Sequence, residues 1–191
     1  MALLGVVLGV AVAIALVRGG RISNLARIEL LAWPLLFLAA AIQLGAELLP
    51  DDRPWSRWGG VSLILGSYAL LLIVILINRD RSGLWLAGLG ILLNFLVIGL
   101  NSGMPVSAEA AALAGSGEAE LVFDAKHVAL DAESRLAFLA DVIPVRAIGQ
   151  VLSIGDVLLA VGLGRFLEAE LRTRHWLRDA GAGKPGSAAG Q

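Results

Sequence analysis

Long runs of apolar residues, nearly free of charge, dominate this sequence and leave few folds open to it. They cover residues 2–17, 28–49, 60–78, 84–100 and 150–167. Each is near the ~20 residues that a helix needs to cross ~30 Å of hydrocarbon. Inside that layer water cannot satisfy the backbone, so each run must bond its own amides, as a helix does. The fold class expected is therefore an all-α integral membrane protein, a bundle of five transmembrane helices.

The charges between the runs orient the bundle. Arg18, Arg21 and Arg27 follow the first run, Arg79 and Arg81 follow the third, and Arg172, Arg174, Arg178 and Lys184 follow the fifth. In the second loop Arg53 and Arg57 are offset by Asp51 and Asp52, and from Asn101 to Gln150 three cations face seven acids. Basic loops stay in the cytoplasm, so the N-terminus is expected outside and the C-terminus inside. Tryptophans agree with belts at both interfaces: Trp55 and Trp58 fall at the outer ends, Trp33, Trp85 and Trp176 at the inner ends. The first run has no basic residue before it and its positive charges after it, so we expect a retained span and not a cleaved signal peptide. The location expected is the cell (inner, cytoplasmic) membrane, with the bilayer as first partner.

Composition narrows the function classes. Of 191 residues 58% are hydrophobic, net charge is −1, and cysteine is absent. A balanced charge gives no attraction for nucleic acid, and without cysteine there is no disulfide, thiol nucleophile or cysteine metal site. Residues 1–179 read as one membrane domain, and 180–191, rich in Gly and Ala, as a disordered tail. Ser23 and Asn24 are expected to cap the helix into the second span, and Pro34 to sit in its early turns, where a missing amide costs least. Gly5-x3-Gly9 and Ser62-x3-Gly66 are small-residue patterns that allow close helix contact.

The segment 101–149 is too long for a passive connection and too apolar for disorder. It is expected to form a helical extracytoplasmic lid. Ser107 caps a short helix over Ala108–Ala114, ended by Gly115. Asp131 caps a second helix, with Glu133 in its first turn, running from Ala132 to about Val142 until Pro144 stops it. Leu136, Leu139 and Val142 or Ile143 give that helix an apolar face for the membrane surface or the mouths of the spans.

Within this region "NSGMPVS", "KHVALDAESRLAFLADVIPV" and "SIGDVLLAVG" are similar to a family of small multi-span bacterial membrane proteins, mainly actinobacterial, catalogued as a domain of unknown function. The resemblance implies the multi-span architecture and no activity. The residues that recur, as they stand here, are Asn101, Gly103, Met104, Pro105, His127, Asp141, Pro144, Ser153, Gly155 and Asp156.

Candidate chemistry gathers at the same place. His127 is able to act as a base or a pH-sensitive partner, flanked by Lys126, Asp124 and Asp131. Ser153 and Asp156 have capping-box spacing, yet a carboxylate at the mouth of a span needs a partner; Arg135, Arg146, Lys126 and His127 are available. His127, Asp141 and Asp156 are the catalytic candidates. The ligand or partner candidates are Asn101, Met104, Pro105, Lys126, His127, Asp131, Asp141, Ser153 and Asp156. Arg165 falls short of the inner face unless it snorkels, pairs with Glu168, or belongs to a helix that starts deep. Gln43, Glu47, Asn94, Ser62, Ser67 and Tyr68 read as interhelical hydrogen-bonding groups. No motif implies a cofactor or metal. Three functions remain: a non-enzymatic accessory, assembly or sensor module whose lid touches a protein partner or lipid; a small enzyme pairing His127 with an aspartate; or an oligomeric channel or carrier.

Overall fold

Residues 2–50, 53, 55–115 and 127–173 are described by the computed structural model. Its helices are α1 (Ala2–Val17), α2 (Pro34–Glu47), α3 (Ser56–Ile77), α4 (Leu84–Asn101), α5 (Ala108–Ala114) and α6 (Ile154–Arg172). Four three-residue strands lie between α4 and α6: β1 (Met104–Val106), β2 (His127–Ala129), β3 (Ile143–Val145) and β4 (Gln150–Leu152). The protein is mostly helical. α3 and α4 are long and apolar enough to cross a membrane, while α1 and α2 are apolar but shorter.

The long helices pack in the order α2–α3–α4–α6–α1. This is a row with two edges, and burial follows position in it. α4, between two neighbours, buries Ala87, Gly88, Gly90, Ile91, Asn94, Val97 and Ile98, whereas α2, at an edge, buries only Ala39 and Ala46. Loss of water alone does not bring helices together in an apolar solvent; close backbone approach and hydrogen bonds do.

The α4–α6 seam shows how. The two helices run antiparallel, with Gly83 beside Phe166, Ala87 beside Gly162, Gly90 beside Leu159 and Asn94 beside Gly155. A methyl on Gly90 would lie 2.6 Å from the Leu159 nitrogen, and one on Gly162 2.8 Å from the Ala87 Cα, closer than any side chain tolerates. On its other side α6 presents Gly164 to Val7 and Ala11 of α1. The small-residue patterns read from the sequence are not these contacts: Gly5, Gly9 and Gly66 meet nothing within 4 Å.

At the end of the row opposite the strands, ion pairs and amides tie α6 to two loops. Arg18 donates to Glu168 (2.7 Å), as does Arg172 (3.4 Å), and Arg81 donates to Glu170 (2.9 Å) and to the Glu29 carbonyl (2.7 Å). The Asn24 amide donates to the carbonyls of Leu171 (2.8 Å) and Thr173 (3.0 Å). Asn24 thus joins two termini and does not cap α2, which Ser23 does not cap either: residues 22–27 form a separate 3-10 turn. α2 begins at Pro34 and not at Ile28, because a proline farther inside a helix would lose one hydrogen bond and clash with the preceding turn. Ahead of it Leu31 is held by Asn78, whose side chain accepts from the Leu31 N–H and donates to its carbonyl, both at 2.9 Å.

The segment joining α4 to α6 is a small mixed head, not a helical lid. β1 pairs in parallel with β2 on one side and bridges to Asp141 on the other. β3 and β4 form an antiparallel hairpin with Pro144 opposite Val151. α5 forms as expected, capped by the Ser107 hydroxyl and ended by Gly115 at φ +87°. The helix expected over Ala132–Val142 is absent; only Ala137–Leu139 turns, as a 3-10 helix. Local bonding explains the loss. Asp131 accepts from the Glu133 amide and the Ser134 hydroxyl, a side-chain turn that competes with a helix start. Leu136 takes φ +55°, and both peptide groups of Arg135 are drawn off by Asn101. Residues 180–191 lie outside the described residues.

Candidate functional site

α6 starts deep in the row, and its first turn carries the most concentrated polar group among the helices. Residues 150–152 are strand β4, so α6 begins at Ile154 and not at Gln150. Its Gly155 meets Asn94, seven residues before the end of α4, about 10 Å below that end at 1.5 Å per residue. A helix beginning there, beside the buried Asn94 and Ser153, leaves its first amides in need of partners. Ser153 and Asp156 supply the answer as a reciprocal capping box: the Ser153 hydroxyl accepts from the Asp156 amide (3.0 Å) and the Asp156 carboxylate accepts from the Ser153 amide (3.1 Å).

Asn94 closes the network from α4. Its amide donates to Asp156 (2.8 Å), and its carbonyl oxygen accepts from the Ser153 hydroxyl (3.0 Å). Asn94 and Ser153 are buried. Of the cations considered for Asp156, Arg146 donates through Nε to the Leu113 carbonyl (2.8 Å) at the end of α5, and Lys126 lies outside the described residues. The deep start also settles Arg165. It is exposed, and its Cβ adjoins Gly83 at the α3–α4 turn, already near the far end of the row. Glu168 is bonded to Arg18 and Arg172 instead.

The second polar feature locks the head to α4. Asn101, the last residue of that helix, donates to Val97 of its own final turn (2.8 Å) and to the Arg135 carbonyl (2.9 Å), and accepts from the Arg135 amide (2.7 Å). Asn78 does the same at the end of α3, with Val74 in its own helix and Leu31 as the held residue. A primary amide matches a peptide group in size and in donor and acceptor, so one side chain reproduces a strand-like pair. The signal was present in the sequence as an asparagine at the C-terminal end of each of two apolar runs.

Beneath the head Met104, Leu139 and Leu136 complete a core with Ala46, Val61, Ile64, Val97 and Ile98 from α2, α3 and α4. Pro105 is buried in β1 between its two neighbours. Asp141 is buried, and its backbone bonds Pro105 and Ser107. His127 opens β2 opposite Met104. Asp131 is at the exposed tip, where the Ser134 hydroxyl holds its carboxyl below the usual range.

The candidate residues therefore divide. Asp156 and Ser153 join with Asn94, which sequence reading treated only as an interhelical contact. Asn101, Met104, Pro105 and Asp141 build the joint between head and row. His127 stands on β2, Asp141 lies outside the named strands, and Asp156 stands on α6. Gln43 and Ser67 pair across α2 and α3 at 3.0 Å, as interhelical bonding requires. Among the described residues no group of three or more His, Asp or Glu is placed to hold a metal ion.

No curated protein and no solved structure matches the chain. A family model does, over residues 27–167, which include α2, α3, α4, the head and most of α6. The chain belongs to that family, a family of unknown function, DUF5317.

Proposed function

We propose that this chain is a five-span module of the cytoplasmic membrane, N-terminus outside and C-terminus inside, acting as a non-catalytic accessory, assembly or sensor subunit. α1, α2, α3, α4 and α6 are the spans, and the head closes the outer end. The observation that carries the reading is the division of the row into two unlike ends. The arginine-bearing loops and the end of α6 are bonded together at one end. The head lies at the other, with the Leu3 amide donating to Gln150 (3.4 Å). That separation is what charge asymmetry demands of an odd number of spans.

α6 is too charged to pass as a lipid-facing span, carrying Asp156, Arg165, Glu168, Glu170 and Arg172. It lies between α4 and α1, and its carboxylates have partners there: Asp156 bonds Asn94, Glu168 bonds Arg18 and Glu170 bonds Arg81. The module reading is favoured over chemistry because Asp156, Asn94 and Ser153 bond one another and so stabilise the start of α6. The head is the surface offered to a partner protein, to lipid or to a second copy.

The chain lacks cysteine, so single cysteines report topology directly. With an impermeant maleimide on intact cells, Ala112→Cys labels and Ser82→Cys labels only after lysis; both positions are exposed. Labelling of Ser82→Cys in intact cells would overturn the orientation. Purification from native membranes in mild detergent tests the module: a stable, partnerless monomer refutes it.

A further inference from the structure

We infer that the turn Arg135–Phe138 is an interfacial anchor that sets Phe138 into the outer leaflet and Arg135 against a phospholipid phosphate. The inference rests on the five-span reading and names the ligand of the head. Asn101 fixes Arg135 level with the last turn of α4 by bonding both of its peptide groups. The end of a span marks the boundary between hydrocarbon and headgroups.

From that fixed point the chain turns sharply. Leu136 adopts φ +55°, a conformation that costs a leucine strain and persists only where the surroundings enforce it. Its effect is to divide the side chains. Leu136 and Leu139 go into the core with Val97, Ile98, Val61 and Ala46, while Phe138 is left 65% exposed. Arg135 is exposed beside it.

The same level of the row carries two more exposed aromatics, Trp55 and Trp58 at the start of α3, 57% and 64% exposed. Aromatic rings gather where hydrocarbon meets headgroup, and a guanidinium bonds phosphate in a fork geometry. Leu139, next to Phe138, packs in the core with Ala46 of α2 and Val61 and Ile64 of α3, which seats the turn against those helices. A phospholipid supplies both an acyl chain for Phe138 and an anion for Arg135.

The test uses single cysteines carrying an environment-sensitive fluorophore in proteoliposomes of phosphatidylethanolamine and phosphatidylglycerol. Some of the lipids bear a spin label near the carbonyl. At Phe138→Cys emission is expected to shift to the blue and to be strongly quenched. At Leu96→Cys, on α4 and 42% exposed, quenching reports the span itself, and at Ala112→Cys neither change is expected. A Phe138 site that behaves like Ala112 while Leu96 is quenched overturns the anchor and leaves the spans standing; that outcome assigns the exposed ring to a protein partner. An unquenched Leu96 overturns the five-span reading, and the anchor with it. Arg135→Gln should reduce quenching at Phe138; unchanged quenching removes the phosphate contact from the proposal.

Discussion

Replacing Gly155 by alanine tests whether the α4–α6 seam is held by close approach. The added methyl would lie 2.7 Å from the Asn94 Cγ and 2.8 Å from the Gly90 carbonyl oxygen, and closer still to the Asn94 Oδ1. Neither helix can yield locally, since Gly90 also fits against Leu159 and Ala87 against Gly162. Overpacking of this kind costs about 1–3 kcal/mol. Displacing Asn94 also strains its bonds to Asp156 and Ser153, each about 0.6 and at most about 1.7 kcal/mol between membrane helices. Against these, alanine is better than glycine in a helix by about 1 kcal/mol. Crowding and lost bonds win, for a net loss of about 1–5 kcal/mol. The assay is unfolding of the full chain from mild detergent by dodecyl sulfate, followed by tryptophan fluorescence. Gly9→Ala is the internal control: nothing lies within 4 Å of that position, so only the propensity gain remains and stability should hold or rise. If the two variants unfold together, the seam does not depend on glycine and the reasoning fails.

Two further outcomes follow from the head. Asn101→Ala removes three hydrogen bonds at once, worth about 1 kcal/mol each, and should raise amide exchange across 134–139 while leaving α3 and α4 protected; unchanged exchange would mean that the Leu139 core alone holds the head. The Asp131 carboxyl lies below its ordinary value of 3.8, chiefly through the Ser134 hydroxyl. Its turn therefore gains stability above that pH and loses it as pH falls through the lower folded value. Exchange of the Glu133 amide should rise only in that acid range, and Asp131→Asn should abolish the pH dependence.

What was legible in the sequence was what period and punctuation encode. Ser107 with Gly115, and Ser153 with Asp156, mark helix ends that form as read, because a cap satisfies its amides within three residues. The helix expected over Ala132–Val142 failed because its rival is non-local. An apolar 3–4 spacing at Leu136 and Leu139 describes two residues facing a core, and an irregular turn meets that condition as well as a helix. The deciding bonds come from Asn101, 34 residues away, and no local pattern contains them.

The same distinction explains why the fifth helix looked awkward and why the seam was missed. Gly5-x3-Gly9 satisfies a pattern but faces open space, whereas Gly83, Gly90, Gly155 and Gly162 fit one another at spacings of seven. Spacing along one helix says that a backbone is able to come close; a partner with matching gaps is needed before it does. α6 has such a partner in α4 and is covered by α1 on its other side, and this is what lets it carry Asp156 at its start. A lipid-facing helix would need apolar residues there. The charge that sets α6 apart from the other long helices is thus the mark of its place between two neighbours, with Asn94 supplying from α4 the bonds that water would have supplied elsewhere.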